Sequence, residues 1–217
     1  MYKVDLHTHS VASRDGGITP EQYAKILESE ELDFVAITDH DRIDFAKGLH
    51  KALGNKIIVG QEITTSQGEL IGLFLKDLVE PGQTAAQTAD AVHDQGGLVY
   101  VPHPFETVRK GLSRATLDSI AEHVDIIEIH NGRALFQNFS PQAAVWVKTH
   151  QVAGASSSDA HGFKGLGFSY SILTEPPSRG SLVGALNITK LAHRRAPLLT
   201  LLYPKLNRLF KRYGLQR

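Results

Sequence analysis

Hydrophobic residues along this chain gather in short runs, and amphipathic stretches lie between them. Most runs are continuous and rich in β-branched residues, as in LDFVAITD and GLVYVP, which is typical of strands buried on both faces of a sheet. The pattern predicts eight strands, at residues 2–6, 32–39, 56–63, 69–75, 97–102, 125–130, 151–157 and 166–173.

The stretches between these runs have the spacing and the capping residues of helices. In TPEQYAKILESEE, Thr19 is the predicted N-cap, Pro20 takes the first helical position and Gln22 completes a capping box. TAAQTADAVHDQGG is a second helical stretch that its two glycines close, and SRATLDSIAEH and SPQAAVWVKTH follow the same plan. Strands that alternate with helices predict a parallel sheet with helical crossovers.

The number of strand–helix units separates two α/β architectures. Seven or so units without a glycine-rich nucleotide fingerprint favour a closed, TIM-like barrel over an open, doubly wound sheet. No repeat, linker or low-complexity segment divides the chain. We therefore expect a single α/β domain over residues 1–190, followed by a basic tail over residues 191–217.

Composition narrows the chemistry that is available. The chain has no cysteine, which excludes disulfides and thiolate chemistry and limits a metal site to histidine, carboxylate and water ligands. The start MYKVDLHTH lacks the apolar region of a signal peptide, and no apolar run is long enough to span a bilayer. These features lead us to expect a cytoplasmic protein.

The formal net charge of zero hides an uneven distribution. From residue 187 to the end the chain has eight basic residues and no acidic one, so the body before this tail is acidic. An acidic body is a poor general surface for nucleic acid, and it is compatible with a pocket that concentrates cations. We expect no stable nucleic-acid partner.

Six of the eleven histidines follow the C-terminal ends of predicted strands, which is the face of a parallel barrel where active sites lie. They are His7, His9, His40, His103, His130 and His161. Three acids fall at the same face, namely Asp15, Glu62 and Asp159. Asp39 precedes His40 directly, and we expect it to support a ligand rather than to bind metal.

The spacing of these residues suits chelation. His7 and His9 are two positions apart, as are Asp159 and His161, so each pair can bind one ion from one side. Nine ligand groups exceed the needs of one ion, which favours two or three ions with shared ligands. Glu62, the single acid in an apolar strand, is the predicted bridging carboxylate, since its desolvation would otherwise be unfavourable. A histidine that merely caps a strand end by hydrogen bonding remains an alternative for any one position.

Six short segments, in this order along the chain, carry a resemblance to a known family: LHTHS with its following aspartate, ITDH, GQEITT, PHP, EIHNGR and SSDAHG. With them the chain resembles the polymerase and histidinol phosphatase (PHP) family of metal-dependent phosphoesterases, and more narrowly the small stand-alone bacterial members. The resemblance covers residues 1 to about 190. It implies a distorted (β/α)7 barrel with up to three metal ions of the kind of Mn, Zn or Fe.

The resemblance also implies how the ligands are shared among the ions. The first ion would take His7, His9, Glu62 and Asp159, the second Glu62, His103 and His130, and the third Asp15, His40 and His161. Many relatives have a histidine where this chain has Glu69. That departure leaves the occupancy of the third site open.

The activity that the resemblance implies is hydrolysis of a phosphate ester of a small molecule, such as a nucleotide or a sugar or amino-alcohol phosphate. A hydroxide held between two closely spaced ions would attack the phosphorus. Asp159 and His161 are the candidates for moving protons. The cations available to steer the phosphate are Arg14, Arg109, Lys110 and Arg133. Arg109 and Arg133 are the expected anchors, because a guanidinium offers phosphate two aligned donors.

Three other classes of function stay open: a partner-binding module that metals only brace, a nuclease acting on short oligonucleotides, and amidohydrolase-like hydrolysis at carbon. The near-complete ligand set argues against the first class. The aromatic content of 7% argues against a processive nuclease, which needs stacking platforms. An amidohydrolase-like enzyme of this barrel type usually needs a carboxylated lysine or a lone late aspartate. The sequence segments Pro-His-Pro and Asp-Ala-His of this chain fit that pattern less well.

The tail segment LLYPKLNRLFKRYG predicts a basic amphipathic helix that starts near Pro204 and ends at Gly214. We expect its apolar stripe to pack on its own domain or on a second copy of the chain. The alternative is that the helix lies on an anionic membrane surface or on nucleic acid.

Overall fold

A computed structural model of the chain describes residues 1–135, 137–187 and 190–214. The strands are β1 (Tyr2–Asp5), β2 (Phe34–Ile37), β3 (Ile57–Thr65), β4 (Gly68–Leu73), β5 (Leu98–Val101), β6 (Ile126–Asn131), β7 (Ala153–Ser157), β8 (Ser169–Leu173) and β9 (Lys190–His193). The helices are α1 (Pro20–Glu28), α2 (Asp44–Leu53), α3 (Ala85–Asp94), α4 (Arg114–Ser119), α5 (Ser140–His150), α6 (Leu182–Leu186) and α7 (Tyr203–Arg212). The eight predicted strands are confirmed within a few residues, and β9 was not predicted.

Helix α1 begins as its sequence predicts. The Oγ1 of Thr19 accepts the backbone N–H of Gln22 at 3.3 Å, and the Gln22 side chain accepts the N–H of Thr19 at 3.1 Å. Thr84 and Gln87 form the same capping box at the start of α3. The boxes satisfy N–H groups that have no partner within the helix, and so they determine where these helices begin.

The strands form one nearly closed, barrel-shaped sheet in the order β7-β6-β5-β4-β3-β2-β1-β8-β9. Neighbouring pairs are parallel from β1 to β3 and from β5 to β7. The two ends of the order approach each other, because the N–H of Ser156 in β7 donates to the Oγ of Ser171 in β8 at 3.1 Å. The predicted TIM-like α/β barrel is thus confirmed.

The expectation of a parallel sheet is wrong at two of the predicted strands, β4 and β8, and the additional strand β9 is also antiparallel. Strand β4 is antiparallel to both β3 and β5, β8 is antiparallel to β1, and β9 is antiparallel to β8. Only Ser66 and Gln67 separate β3 from β4. A connection of two residues can join antiparallel strands, whereas a parallel pair needs a crossover of a dozen residues or so. The turn therefore places the first residues of β4 beside the last residues of β3.

Alternate residues of each strand divide between two hydrophobic clusters on opposite faces of the sheet. In β3, Ile57 and Val59 pack with residues of helices α1 to α5, while Ile58 packs with residues of α6 and the other strands. Glu62 lies four residues after Ile58 in β3, so the two side chains are on the same face of the sheet, and Glu62 lies beyond the apolar cluster. Strand β3 thus carries its acidic group at the C-terminal end of its inner face.

Helix α7 forms where the sequence predicts it, with Pro204 in its first turn. Its packing face differs from the expected one, because Pro204 and Asn207 are buried whereas Leu209 and Tyr213 are 48% and 65% exposed. The polar side chain of Asn207 contacts the barrel together with Pro204, and part of the apolar stripe is left exposed. Association with a membrane or with a second copy stays a prediction, and residues 215–217 of the tail lie outside the described residues. No helix in the described part of the chain is long and apolar enough to cross a membrane.

Candidate metal centre

Strand ends bring eight of the nine predicted ligands to one place at the C-terminal end of the barrel. His7 and His9 follow β1, Asp15 lies on the loop beyond them, His40 follows β2, Glu62 lies in β3, His103 follows β5, and Asp159 and His161 follow β7. Their imidazole nitrogens and carboxylate oxygens form overlapping groups of three or four donor atoms, within 4.8 Å of one another.

The deepest donor atoms are spaced for one ion. The Nε2 atoms of His7 and His9 lie 3.1 Å apart, and both are 3.3–3.6 Å from Glu62 Oε2 and Asp159 Oδ1. An ion bound at about 2.0–2.1 Å by tetrahedral ligands keeps those ligands roughly 3.3–3.4 Å apart. We call these four residues together with His103 the inner group, and each of the five is at most 3% exposed.

Glu62 faces histidines from three other strand ends. Its Oε1 lies 3.1 Å from His103 Nε2, and its Oε2 lies 3.2 Å from His40 Nδ1. Burial raises the pKa of Glu62, but the charges of His40 and His7 outweigh burial and hold the pKa well below its usual value. The group is therefore a carboxylate, which is the form that binds metal, and its two oxygens point toward different donors.

Asp15, His40, Glu69 and His161 form what we call the outer group, next to the inner one. The Nε2 atoms of His40 and His161 lie 3.6 and 3.5 Å from Asp15 Oδ1. Burial raises the pKa of Asp15, but the hydrogen bond and charge of His161 outweigh burial and hold the pKa far below its usual value. The donors around Asp15 Oδ1 are thus two imidazoles, and Glu69 adds a second carboxyl group to the outer group.

Glu69 was noted in the sequence only as a departure from the family pattern. It joins the outer group because antiparallel pairing sets it opposite Thr64, two residues beyond Glu62. Its Oε1 lies 3.8 Å from His40 Nδ1, and burial together with the charge of Glu62 raises the pKa of Glu69 to about 9. Two carboxyl groups this close favour the neutral form of one of them unless a cation lies between them. Glu69 is thus placed as a further donor.

Glu128 lies behind the ligands and is not among the site residues that the sequence predicted. Its Oε1 accepts the Nδ1–H of His7 at 3.1 Å and the hydroxyl of Tyr100 at 2.9 Å, and its Oε2 accepts the N–H of His103 at 2.6 Å. A carboxylate behind a metal-binding histidine fixes the ring and makes it more basic. The signal in the sequence was an acid within a buried strand, IIEIHN.

His130, in contrast, lies away from the cluster. A register shift between Glu128 and His130 interrupts the pairing of β6 with β7, and Asn131 becomes the residue whose Nδ2 reaches Glu128 Oε2, at 2.8 Å. The ring of His130 stacks on that of His193, with centroids 4.9 Å apart. The predicted position of His130 among the ligands is therefore wrong, because a bulge in a strand reverses the side on which the following side chains lie.

The guanidinium of Arg109 is already occupied by protein acceptors. Its Nη1 donates to Asp159 Oδ2 at 2.7 Å and to Asn131 Oδ1, and its Nε and Nη2 donate to the two oxygens of Glu106. The expected role of Arg109 as a phosphate anchor does not fit this geometry. It instead positions Asp159, whose other oxygen faces His7 and His9.

Arg133 has N–H donors that are not used by protein acceptors among the described residues. Its Nη1 lies 3.3 Å from Asp159 Oδ2 and 3.3 Å from His161 Nδ1, and its Nε is buried with no hydrogen-bond partner in the described part of the chain. Burial raises the pKa of Asp159, but the charges of Arg133 and His7 hold it well below its usual value. A buried donor without a partner is unfavourable, so the site fits an added acceptor.

A cavity of about 220 Å³ opens onto the inner and outer groups. Its cationic lining residues are Arg14, Arg109, Lys110, Arg133 and Arg208. Lys110 also lines a neighbouring cavity of about 790 Å³, whose wall includes the aromatic pair Phe105 and Phe139. Acidic and imidazole groups thus cover the floor of the smaller cavity, and cations surround its walls.

The donors present fit divalent ions of the Mn, Fe or Zn type. They are histidines and carboxylates without thiolates, they converge within bonding range of a shared centre, and the buried Nδ1 of His40 has no hydrogen-bond partner among the described residues. Positive backbone φ angles at two ligands, +30° for His103 and +51° for Asp159, indicate local strain of the kind that persists at functional sites.

Comparison with known proteins identifies the family to which this chain belongs. Residues 5–150 match the PHP domain family. The chain is 30% identical over 151 residues to the uncharacterized protein MJ1587 of Methanocaldococcus jannaschii. This alignment covers 64% of the chain and 88% of that protein.

Two solved structures share the fold. One is a two-domain protein from Bacteroides vulgatus that contains a predicted PHP-like metal-dependent phosphoesterase, with a TM-score of 0.70 and 20% identity over 95% of this chain and 69% of that one. The other is the lesion-specific endonuclease PfuEndoQ of Pyrococcus furiosus, with a TM-score of 0.62 and 17% identity over 88% of this chain and 57% of that one. At these identities the likeness establishes the fold alone.

Proposed function

Because this chain belongs to the PHP domain family, we propose that it is a metal-dependent phosphoesterase that hydrolyses phosphate esters of small molecules. The observation that carries the proposal is the inner group, in which the Nε2 atoms of His7 and His9 lie 3.1 Å apart and each lies 3.3–3.6 Å from a carboxylate oxygen of Glu62 and of Asp159 in a buried pocket. A cluster of this kind is costly to bury unless it serves an ion.

The chain's own residues prepare this site for a phosphate group. Divalent ions, when bound there, polarise the phosphoryl group and lower the pKa of a water molecule so that it can attack. Glu128 orients the ring of His7, and Arg109 holds Asp159 from behind. Arg133 lines the cavity and its Nε has no hydrogen-bond partner among the described residues, so it is our candidate for donating to a phosphoryl oxygen.

Two residues were expected to move protons, and their contacts differ. Asp159 has one oxygen toward His7 and His9 and the other bound by Arg109, so it is engaged on both sides. His161 donates its Nδ1–H to the backbone oxygen of Asp159 at 2.9 Å, which leaves Nε2 directed at Asp15. We therefore keep His161 as the candidate for proton transfer and assign Asp159 to metal binding.

The dimensions of the two cavities favour a small substrate. The 220 Å³ cavity has room for a phosphate group beside the ligands, and the adjoining 790 Å³ cavity, which shares Lys110 with it, has the size of a small-molecule site. Phe105 and Phe139 provide an apolar wall there for the organic part of the ester. This arrangement supports a phosphomonoester of a small molecule over a long nucleic acid.

The experiment is a metal-dependence screen of the purified full-length chain. Metal is removed with a chelator, Mn, Zn or Fe is added back, and hydrolysis is followed for p-nitrophenyl phosphate, bis-p-nitrophenyl phosphate, nucleotides, sugar phosphates and short oligonucleotides. We expect no hydrolysis above buffer without metal, and recovery with at least one of the metals on small esters. Preference for oligonucleotides over all small esters would instead identify a nuclease.

A matched pair of variants keeps the screen interpretable. His9→Ala removes an inner ligand, whereas His50→Ala removes a histidine that lies on α2 and whose Nδ1 contacts the backbone oxygen of Ile57. The first should abolish hydrolysis and the second should retain it. A folded protein that binds metal and yet hydrolyses no ester would instead support a binding module, and the proposal would be wrong.

A further inference from the structure

The polar face of α7 is bound to the two loops that carry outer ligands. Asn207 Nδ2 donates to the backbone oxygens of Asp15 and His161, both at 2.8 Å, and Asn207 is only 6% exposed. One side chain of α7 thus ties the loop after β1 to the loop after β7. These two loops supply a carboxylate and an imidazole that face each other at 3.5 Å.

Lys211 binds the same loop one turn further along the helix. Its Nζ donates to the backbone oxygens of Val11 at 2.7 Å, of Gly16 at 2.8 Å and of Ser13. An ammonium group has three donors, and all three are used here on one loop. The loop that presents Asp15 is therefore held from the side by α7.

Two glycines allow this close approach. A Cβ on Gly17 would stand 2.9 Å from Asn207 Nδ2, and a Cβ on Gly162 would stand 2.6 Å from the ring of Tyr203. A larger residue at either position would displace the side chain of Asn207 or of Tyr203 from its place against the loops. The fit is built from both sides, by small residues on the loops and polar residues on the helix.

Arg208 extends from this helix to the cavity above the ligands. Its Nη1 lies 3.1 Å from Asp15 Oδ2, and Arg208 lines the 220 Å³ cavity. A guanidinium has five N–H donors, and within the described residues this contact with Asp15 is the hydrogen bond that Arg208 makes. Its side chain is 55% exposed, so its remaining donors are accessible, whereas four of the five N–H donors of Arg109 are bound by Glu106, Asn131 and Asp159.

We propose that α7 is part of the active site and that Arg208 binds the phosphate group of a phosphomonoester dianion at the mouth of the metal cavity. The inference rests on the proposed function, and it adds a substrate-binding residue from beyond residues 5–150, the part that matches the family. Asn207 and Lys211 hold the helix, and Arg208 supplies two aligned donors to phosphate. A dianion gains more from this cation than a diester monoanion does.

The test measures phosphate binding directly, besides catalysis. Inorganic phosphate is titrated calorimetrically into metal-loaded full-length protein, and its inhibition constant is determined where hydrolysis is seen. Arg208→Ala should weaken phosphate binding by roughly ten- to a hundredfold, which corresponds to the loss of hydrogen bonds to a charged group. It should raise KM for p-nitrophenyl phosphate more than for bis-p-nitrophenyl phosphate and change kcat less than KM.

Arg212→Ala is the matched control, because Arg212 is an exposed arginine of the same helix and does not line the cavity. It should bind phosphate like the unaltered protein, and Arg208→Lys should lie between the two. Metal content is measured for every variant. Phosphate affinity that is unchanged within twofold in Arg208→Ala, or that falls only in proportion to lost metal, would overturn the inference.

The outcomes for the two proposals are separable. If the unaltered protein hydrolyses esters and Arg208→Ala binds phosphate as well as it does, the inference on Arg208 fails and the proposed function stands. If the unaltered protein hydrolyses no ester, the proposed function fails. The titration with inorganic phosphate then still decides whether Arg208 forms part of an anion site.

Discussion

The inner and the outer group of ligands reach the same cavity by different means. Inner ligands lie on a strand or directly after one, and Glu128 and Arg109 hold them from behind. In the outer group, Asp15 lies well beyond the end of β1, and α7 binds the backbone of its loop through Asn207 and Lys211. The barrel by itself positions the inner ligands, whereas the loops of two outer ligands, Asp15 and His161, are also held by α7.

We expect the largest effect from removing the carboxylate of Glu62, which faces both the inner and the outer group. Glu62→Gln keeps the shape but removes the charge that faces His103 on one side and His40 on the other. We expect metal-supported hydrolysis to fall by about a thousandfold or more, since several kcal/mol of charge stabilisation are lost. The measurements are kcat and bound metal by elemental analysis, with Glu122→Gln, an exposed glutamate, as the control. Activity above a tenth of normal would contradict the central place of Glu62.

The next test separates a ligand from a residue that only resembles one. His103→Ala removes an inner donor and should lower kcat by roughly a hundredfold or more. His130→Ala removes a ring that stacks on His193 and should leave kcat within about twofold, because that ring lies away from the donors. Steady-state kinetics on both variants at equal metal content checks the contrast. Equal losses in the two would mean that β6 presents His130 to the ions after all.

A smaller effect is expected from the residue behind the inner group. Glu128→Gln keeps the side-chain shape but weakens the hydrogen bond to the His7 ring. Metal affinity at the inner site should fall by roughly ten- to a hundredfold, as is usual for such supporting carboxylates. Competition with a fluorescent chelator measures the affinity, and circular dichroism confirms that the variant folds. If the outer ion weakened and the inner one did not, the assignment of Glu128 to the inner group would be lost.

The smallest expected effect belongs to a variant that tests the role of α7. Asn207→Ala removes the side chain that ties Asp15 to His161 through their backbone oxygens. We expect a loss of about 1–3 kcal/mol in the free energy of unfolding, since two buried acceptors lose their donor. In a calorimetric metal titration, the weaker binding step should decline and the tighter one should persist. Lys205→Ala, an exposed neighbour on α7, serves as the control, and equal losses of both steps would refute a separate outer group.

Much of the fold could be predicted from the chain, because strands and capped helices depend on local patterns. Apolar runs marked the first eight strands, and Thr19 with Gln22 marked the start of α1. What escaped prediction was long-range pairing: the antiparallel setting of β4 and the position of β9. A two-residue link at Ser66 and Gln67 carried the signal for β4, since a helical crossover cannot fit there.

The prediction of the candidate site likewise succeeded where local spacing was sufficient and failed where long-range contacts decided the outcome. Spacing at strand ends was enough to place His7, His9 and Asp159 together, because the C-terminal ends of the parallel strands of a barrel lie on one face. Spacing failed at His130, where a bulge in β6 reversed the side of the strand, and no periodicity rule detects one inserted residue. Glu128 was overlooked because its contact with His7 spans 121 positions of sequence.

The sequence by itself determined the chemistry available here, which is histidine and carboxylate donors without thiols, and the barrel ends on which they fall. These follow from composition and from the two-residue period of strands, both of which are local. Only the tertiary structure decided which donors share an ion, that Arg109 is bound by protein acceptors while Arg208 is accessible, and that α7 docks by its polar face. Such contacts join residues as far apart as Asp15 and Arg208, 193 positions in sequence, and a local pattern does not record which distant partners the folded chain brings together.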